Sequence, residues 1–237
     1  MNRKLLVISV VLAVSFIFSD SSQAETVNTT ADLQNNKTAL AYIDSLQMLE
    51  SMYRLGIEED RKFGLHQDCK SKYLIRPVSA VVLKPIEFSE GKQHPTKGVW
   101  LSRYQLERCG DSKNYNALIF ASLNGEAPIL RSFHAGSSNA SPVLIQDALR
   151  SAVPIAVTQS GLKDCKTALV FDMRVTESSH NVVEGKKAFK GVWNELWTFS
   201  MCGQMIDVAM TFIPDATGGG TSFTASPAKP KSITDKP

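Results

Sequence analysis

Apolar residues along the chain fall first into a helical rhythm and then into alternation. Leu40, Ile43, Leu46, Leu49, Met52 and Tyr53 recur at spacings of three and four between acids and amides, which predicts a helix over 38–62. Gly64 stands at its stop. The stretch from Tyr73 to Phe88 is rich in Val, Ile and Leu, but Pro77 and Pro85 argue against one long central strand. It predicts a strand at 79–83 and a shorter one at 73–75. From Val99 to Arg108 the chain alternates, with Trp100, Ser102, Tyr104 and Leu106 on one face. Cys109-Gly110 ends that strand and residues 111–114 read as a turn. Strands at 115–123 and 129–134 follow, joined through Asn124-Gly125, a hairpin signal.

The same order then returns. Ser141-Pro142 is a cap followed by proline at the first helical position, and a helix runs to about 151, with Pro154 expected to break or kink it. Strands are predicted at 168–176, 192–201, 205–213 and 221–224, with loops at 178–189 and 214–220. On the second of these, Trp193, Glu195, Trp197 and Phe199 share one face.

The recurrence extends to identities. Glu90-Gly91-Lys92, Lys97-Gly98-Val99-Trp100 and Cys109-Gly110 reappear as Glu184-Gly185-Lys186, Lys190-Gly191-Val192-Trp193 and Cys202-Gly203, and Asp68-Cys69-Lys70 as Asp164-Cys165-Lys166. Trp100 to Cys109 and Trp193 to Cys202 are both nine residues. The chain therefore reads as a duplicated module. The expected fold is α+β: two tandem copies of a helix plus about four antiparallel strands, 38–135 and 136–224, packed as one rigid unit because the linker is short. A helix on a curved four-stranded sheet resembles the cystatin-like architecture by element order, although the Gln-x-Val-x-Gly inhibitor loop is absent.

Composition places this fold in a compartment. Met1–Lys4 is basic, Leu5–Phe18 is an apolar run of 14 residues, and Ser22-Gln23-Ala24 offers a cleavage site. This pattern predicts a signal peptide over 1–24 rather than a membrane span, which needs ~20 apolar residues. Residues 25–37 read as a disordered leader, and the Pro-, Lys- and Ser-rich 225–237 as a disordered tail. Without the signal peptide the chain is close to neutral, which argues against nucleic acid and anionic membranes as partners. In an oxidising compartment, periplasmic or extracellular, the four cysteines should pair. Of three possible pairings the duplication selects Cys69–Cys109 and Cys165–Cys202. Their spacing lacks the close pairs of a zinc site.

A further resemblance rests on Gly191-Val192-Trp193-Asn194-Glu195-Leu196-Trp197, Cys202-Gly203, Phe212-Ile213-Pro214-Asp215 and Gly218-Gly219-Gly220-Thr221. These segments are similar to a pattern in small exported bacterial proteins, mostly of unknown function, some secreted by intracellular pathogens. The match covers about 40 residues of the second copy. In the first copy Ser102 replaces the Glu and Tyr104 the second Trp. The resemblance implies export, a two-module α+β body and a virulence-associated role among its possibilities; it implies no reaction.

The sequence contains no nucleophile elbow, phosphate-binding glycine loop or metal-ligand spacing around His66, His94, His134 or His180, so no catalytic residue, metal or cofactor is assigned. The aromatic stripe has two readings. Trp193 and Trp197, with Trp100 and Tyr104, can be core, in which case Trp100 and Trp193 should be buried beside their disulfides. Alternatively Trp193, Glu195, Trp197 and Asp215 form a binding surface for a protein, glycan or lipid. Two functions follow: an exported non-enzymatic binding protein, or a hydrolase or lyase with a carboxylate site near Glu195 and Asp215.

Overall fold

The computed structural model describes residues 26–27, 33, 36–70, 73–162, 164–165, 167–185, 187–216 and 220–228. The expected signal peptide and most of the expected leader and tail lie outside these residues. The first half contains β1 (Thr26–Val27), α1 (Lys37–Ile43), α2 (Leu46–Lys62), β2 (Leu74–Glu87), β3 (Lys97–Arg108), β4 (Asp111–Phe120) and β5 (Ile129–Phe133). Its strands form one antiparallel sheet in chain order. The second half contains α3 (Pro142–Ser160), β6 (Leu169–Glu184), β7 (Lys187–Met201), β8 (Gln204–Pro214) and β9 (Thr221–Pro227), with its four strands again antiparallel in chain order. The fold is α+β, with two sheets, each carrying helix on one face.

Helical spacing sets each core. In α2 the buried positions are Met48, Met52, Gly56 and Asp60, one per turn. They meet Trp100, Tyr104, Leu106, Tyr115, Ala117 and Ile119 on the sheet. A Cβ on Gly56 would lie 2.4 Å from Leu106 Cδ1, so glycine lets helix and strand approach. In α3, Ile145, Ala148, Ala152 and Ala156 perform the same packing against Trp197, Phe199, Met201, Val208 and Phe212.

Several element boundaries differ from the sequence reading, each for a local reason. The first helix is two helices, because Ser45 adopts extended backbone and caps α2 by accepting from Met48 N–H. β2 runs unbroken through Pro77 and Pro85. Its far edge is open apart from Ile86 and Glu87, which pair with β1, and the register shifts beside both prolines. Asp111 begins β4 rather than a turn. α3 continues through Pro154, which sits on the exposed face where water can reach the carbonyl that proline leaves unpaired. The expected loop at 178–189 is mostly the long β6–β7 hairpin. The first sheet gains a fifth strand from Thr26–Val27, part of the expected leader, and Ala225–Pro227 of the expected tail extends β9.

Both disulfides form as the spacing predicts, Cys69–Cys109 and Cys165–Cys202, with Cα separations of 5.9 and 6.0 Å. Each ties the chain after a helix to the tip of a hairpin. Both tips are two-residue turns of Cys-Gly in which all four φ angles are positive: 45° and 81° at 109–110, 46° and 86° at 202–203. This is the backbone that a tight hairpin requires. Two β-carbon-bearing residues accept a left-handed conformation there. Trp100 and Trp193 are buried as expected, but not beside these bridges. Each lies nine positions before its cysteine along the strand, roughly 30 Å at the usual rise.

Near the disulfides the halves solve one packing problem differently. Asp60 and Arg108, only 1% and 2% exposed, form a bidentate pair at 2.8 Å for both contacts, and Tyr115 donates its hydroxyl to Asp60 Oδ1. Burial, followed by that hydrogen bond, pushes the Tyr115 phenol far above its ordinary value. At matching distances from the disulfide cysteines the second half has Ala156, Met201 and Val208, all buried. A fully paired buried ion set and an apolar set thus fill equivalent places. Replacing Asp60 alone with Ala should strand the guanidinium and cost about 3–5 kcal/mol. The triple change Asp60→Ala, Arg108→Met, Tyr115→Val should recover most of that loss, and urea denaturation of the two proteins measures the difference.

Candidate functional site

β7 alternates inward and outward, and its inward face carries Trp193, Glu195, Trp197 and Phe199. The structure brings the first three together and encloses them. Trp193 stacks on Phe212 at 4.8 Å, with the ring planes 8° apart, and Trp197 tilts against the same ring at 6.0 Å. Glu195 is 1% exposed. A carboxylate so deep needs donors, and it has four. Trp193 Nε1, Ser138 Oγ and the Asn139 backbone N–H donate to Oε1 at 2.8, 3.0 and 2.9 Å, and Trp197 Nε1 donates to Oε2 at 2.8 Å. The rings that read as a possible stacking surface therefore orient a buried carboxylate.

Ser138 and Asn139 belong to the segment that connects the halves, so Glu195 holds the linker onto the second sheet. The first half grips the same segment from the other side. Arg103 on β3 donates to the Ser138 carbonyl at 3.2 Å and to Asn116 Oδ1 at 3.1 Å. Asn116 Nδ2 in turn donates to the carbonyls of His134 and Gly136 at 2.6 and 3.0 Å. Burial pulls the Arg103 guanidinium below its ordinary value, and the negative charge of Glu195 works in the opposite direction.

Backbone pairing and a cluster of rings complete the junction. Met173 N–H donates to the Ala135 carbonyl at 3.1 Å, and Ser137 N–H donates to the Met173 carbonyl at 2.6 Å, so the linker runs as a short ladder beside β6. Gly136 lies between them at φ 96°, where a Cβ would come within 2.2 Å of the Met173 carbonyl oxygen. Only glycine fits that approach. Phe63, the residue that caps the end of α2, meets Phe171 of β6 edge-on at 5.2 Å. Lys113 Nζ lies 3.8 Å from the Phe171 ring centroid and 3.6 Å from Asp172 Oδ1. Burial pulls the Lys113 ammonium below its ordinary range, against the opposing pull of Asp172.

Asp215 is elsewhere. It is exposed in the β8–β9 connection, where its N–H donates to the Gly220 carbonyl. Met210, not Asp215, faces Glu195 across the sheet, and Asp215 lies five residues further on, roughly 17 Å along the strand. Among the described residues no three His, Cys, Asp or Glu side chains cluster as metal ligands. His66 bonds Asp111 at 3.1 Å, and His94 Nδ1 and the Tyr42 hydroxyl share a hydrogen bond at 2.8 Å. Burial lifts the Tyr42 phenol to about 12. His134 meets Gln146 of α3 at 3.1 Å across the groove between the halves.

Ser138, Asn139, Arg103 and Asn116 were not singled out by the sequence. The signal that could have found them is Glu195 itself, since an acid in an inward-facing register demands donors from a polar segment. The first half contains an apolar cleft of about 400 Å³ between α1 and the β2–β3 face, with Ser102 in its wall. A scan against models of protein families, a search of curated proteins and a search of solved structures each find no match for this chain.

Two outcomes follow. Glu195→Gln turns one acceptor into a donor among indole and backbone N–H groups, and it should lower stability by about 2–4 kcal/mol in chemical denaturation. The second concerns pH. Burial and then the Lys62 charge lower the pKa of His134 from 6.5, so the unfolded chain binds more protons just below that value. The contribution of neutral His134, in a groove that also contains Glu59, is full above 6.5, shrinks as pH falls below it and is lost below the folded-state pKa. Tm measured on both sides of 6.5 should show this slope, and His134→Gln should flatten it.

Proposed function

We propose that the chain is an exported, non-enzymatic protein, periplasmic or secreted, that acts by binding a protein, glycan or lipid partner. Its two halves are read as copies of one module in a cystatin-like arrangement. The resemblance to small exported bacterial proteins, some secreted by pathogens, supports export and a virulence-associated role. Two internal disulfides support an oxidising compartment, and no helix among the described residues is long and apolar enough to cross a membrane.

The observation that carries the binding reading is the occupation of Glu195. The acid most suited to chemistry is enclosed and bonded to four donors within the protein. Asp215, the second carboxylate of a hydrolase or lyase site, is too distant to act with it on one bond. What remains open is a cleft and surface, which suits recognition.

A panel of glycans, peptides and lipids screened by thermal shift, with each compound quantified afterwards by mass spectrometry, tests this. The expected result is a rise in Tm for one class, with that compound recovered unchanged. Conversion of a panel compound in proportion to protein, abolished by Asp215→Asn, would instead establish the hydrolase or lyase reading.

A further inference from the structure

A cleft of about 580 Å³ opens where the two halves meet, a volume and a position that both suit small-molecule sites. Four segments build its walls. Gln105 comes from β3, Ser112 from β4, Ser137 from the linker, and Asp172 and Arg174 from β6. Backbone pairing holds these segments in place. Gly136 N–H donates to the Asn114 carbonyl at 2.8 Å, and Met173 N–H donates to the Ala135 carbonyl at 3.1 Å. A site whose walls are tied in this way loses little freedom when it is filled.

Most of the charge around the cleft is already answered. Lys113 lies 3.6 Å from Asp172, and Asp111 lies 3.1 Å from His66 and 3.8 Å from Arg108. Arg174 is the exception. It shares one face of β6 with Asp172, is exposed, and makes no ion pair among the described residues. Gln105 is half-buried on the face of β3 away from α2, and its side-chain amide has no partner among the described residues. The cleft therefore offers one uncompensated positive charge beside an amide and the hydroxyls of Ser112 and Ser137. Its aromatic ring, Phe171, is engaged at its edge by Phe63 and on its face by Lys113, so it is not a platform for stacking.

We propose that this cleft binds an acidic sugar, a pyranose ring carrying one carboxylate. The carboxylate takes the Arg174 guanidinium, whose fork matches it with two parallel hydrogen bonds. Ring hydroxyls meet Gln105 and Ser112, groups that both donate and accept as a hydroxyl does. The assignment rests on the binding reading above and narrows it to one class of glycan and one place, the seam between the halves.

The test uses the full exported chain with both disulfides formed. The probes are methyl glucuronoside, its methyl ester, methyl glucoside and acetate. The readout is the side-chain N–H signals of Gln105 and Arg174, assigned with Gln105→Ala and Arg174→Gln. The glucuronoside should shift both signals saturably, and the ester and the glucoside should bind about tenfold more weakly, the value of one charge-assisted hydrogen bond. Arg174→Gln should leave Tm unchanged, because the side chain is exposed and unpaired, and should erase the preference for acid over ester. Gln105→Ala should weaken acid and ester alike. Equal binding of glucuronoside and glucoside overturns the assignment, as does acetate matching the glucuronoside, and so does a Gln105 signal that no probe moves. If that signal stays silent while a peptide or lipid raises Tm, the sugar site falls and the binding role stands. Release of methanol from the glucuronoside overturns the binding reading on which the assignment rests.

Discussion

One buried carboxylate sets the geometry of this molecule. Glu195 receives two indoles from its own strand and two donors from the segment linking the halves. Burying the charge is unfavourable unless every lone pair is met. The linker must therefore lie where Ser138 and Asn139 can reach Oε1. That placement fixes Gly136 against Met173 and brings Arg103 and Asn116 onto the same segment from the first half. The orientation of the halves follows from satisfying one acid, and the packing of Phe63, Phe171 and Lys113 reinforces it.

The two halves also show that a shared framework tolerates exchange between polar and apolar solutions. Close to the disulfides, the first half buries Asp60, Arg108 and Tyr115, where the second buries Ala156, Met201 and Val208. Along the inward strand the polarity reverses, with Ser102 in the first half and Glu195 in the second. In three of these arrangements every principal donor meets an acceptor or no polar group is present. The exception is the inward strand of the first half, where the Trp100 indole N–H and the Ser102 hydroxyl lack partners.

Much of the fold was legible because it depends on local pattern. Alternation placed Trp193, Glu195 and Trp197 on one inward face, and the matched spacing of the cysteines selected the disulfides. The misreadings arose where tertiary context decides. Pro77 and Pro85 are compatible with a strand because β2 has an open edge, and Ser45 divides a helix whose apolar rhythm continues across the break. The junction was not legible because its partners are remote in sequence: Arg103 and Ser138 are 35 residues apart, and Ser138 and Glu195 are 57. The Asp60–Arg108 pair, 48 residues apart, was hidden in the same way, since an acid near the end of an amphipathic helix reads as solvent-facing.

Amide hydrogen exchange at Asn139 tests the role of Glu195 most directly. Asn139 is a surface residue in a connecting segment, where amides ordinarily exchange through local opening. With its N–H held by a buried carboxylate, it should exchange only as fast as the core amides of β7 and respond to denaturant as they do. Rapid exchange at Asn139, insensitive to denaturant while β7 remains protected, would contradict the claim that Glu195 fastens the two halves together.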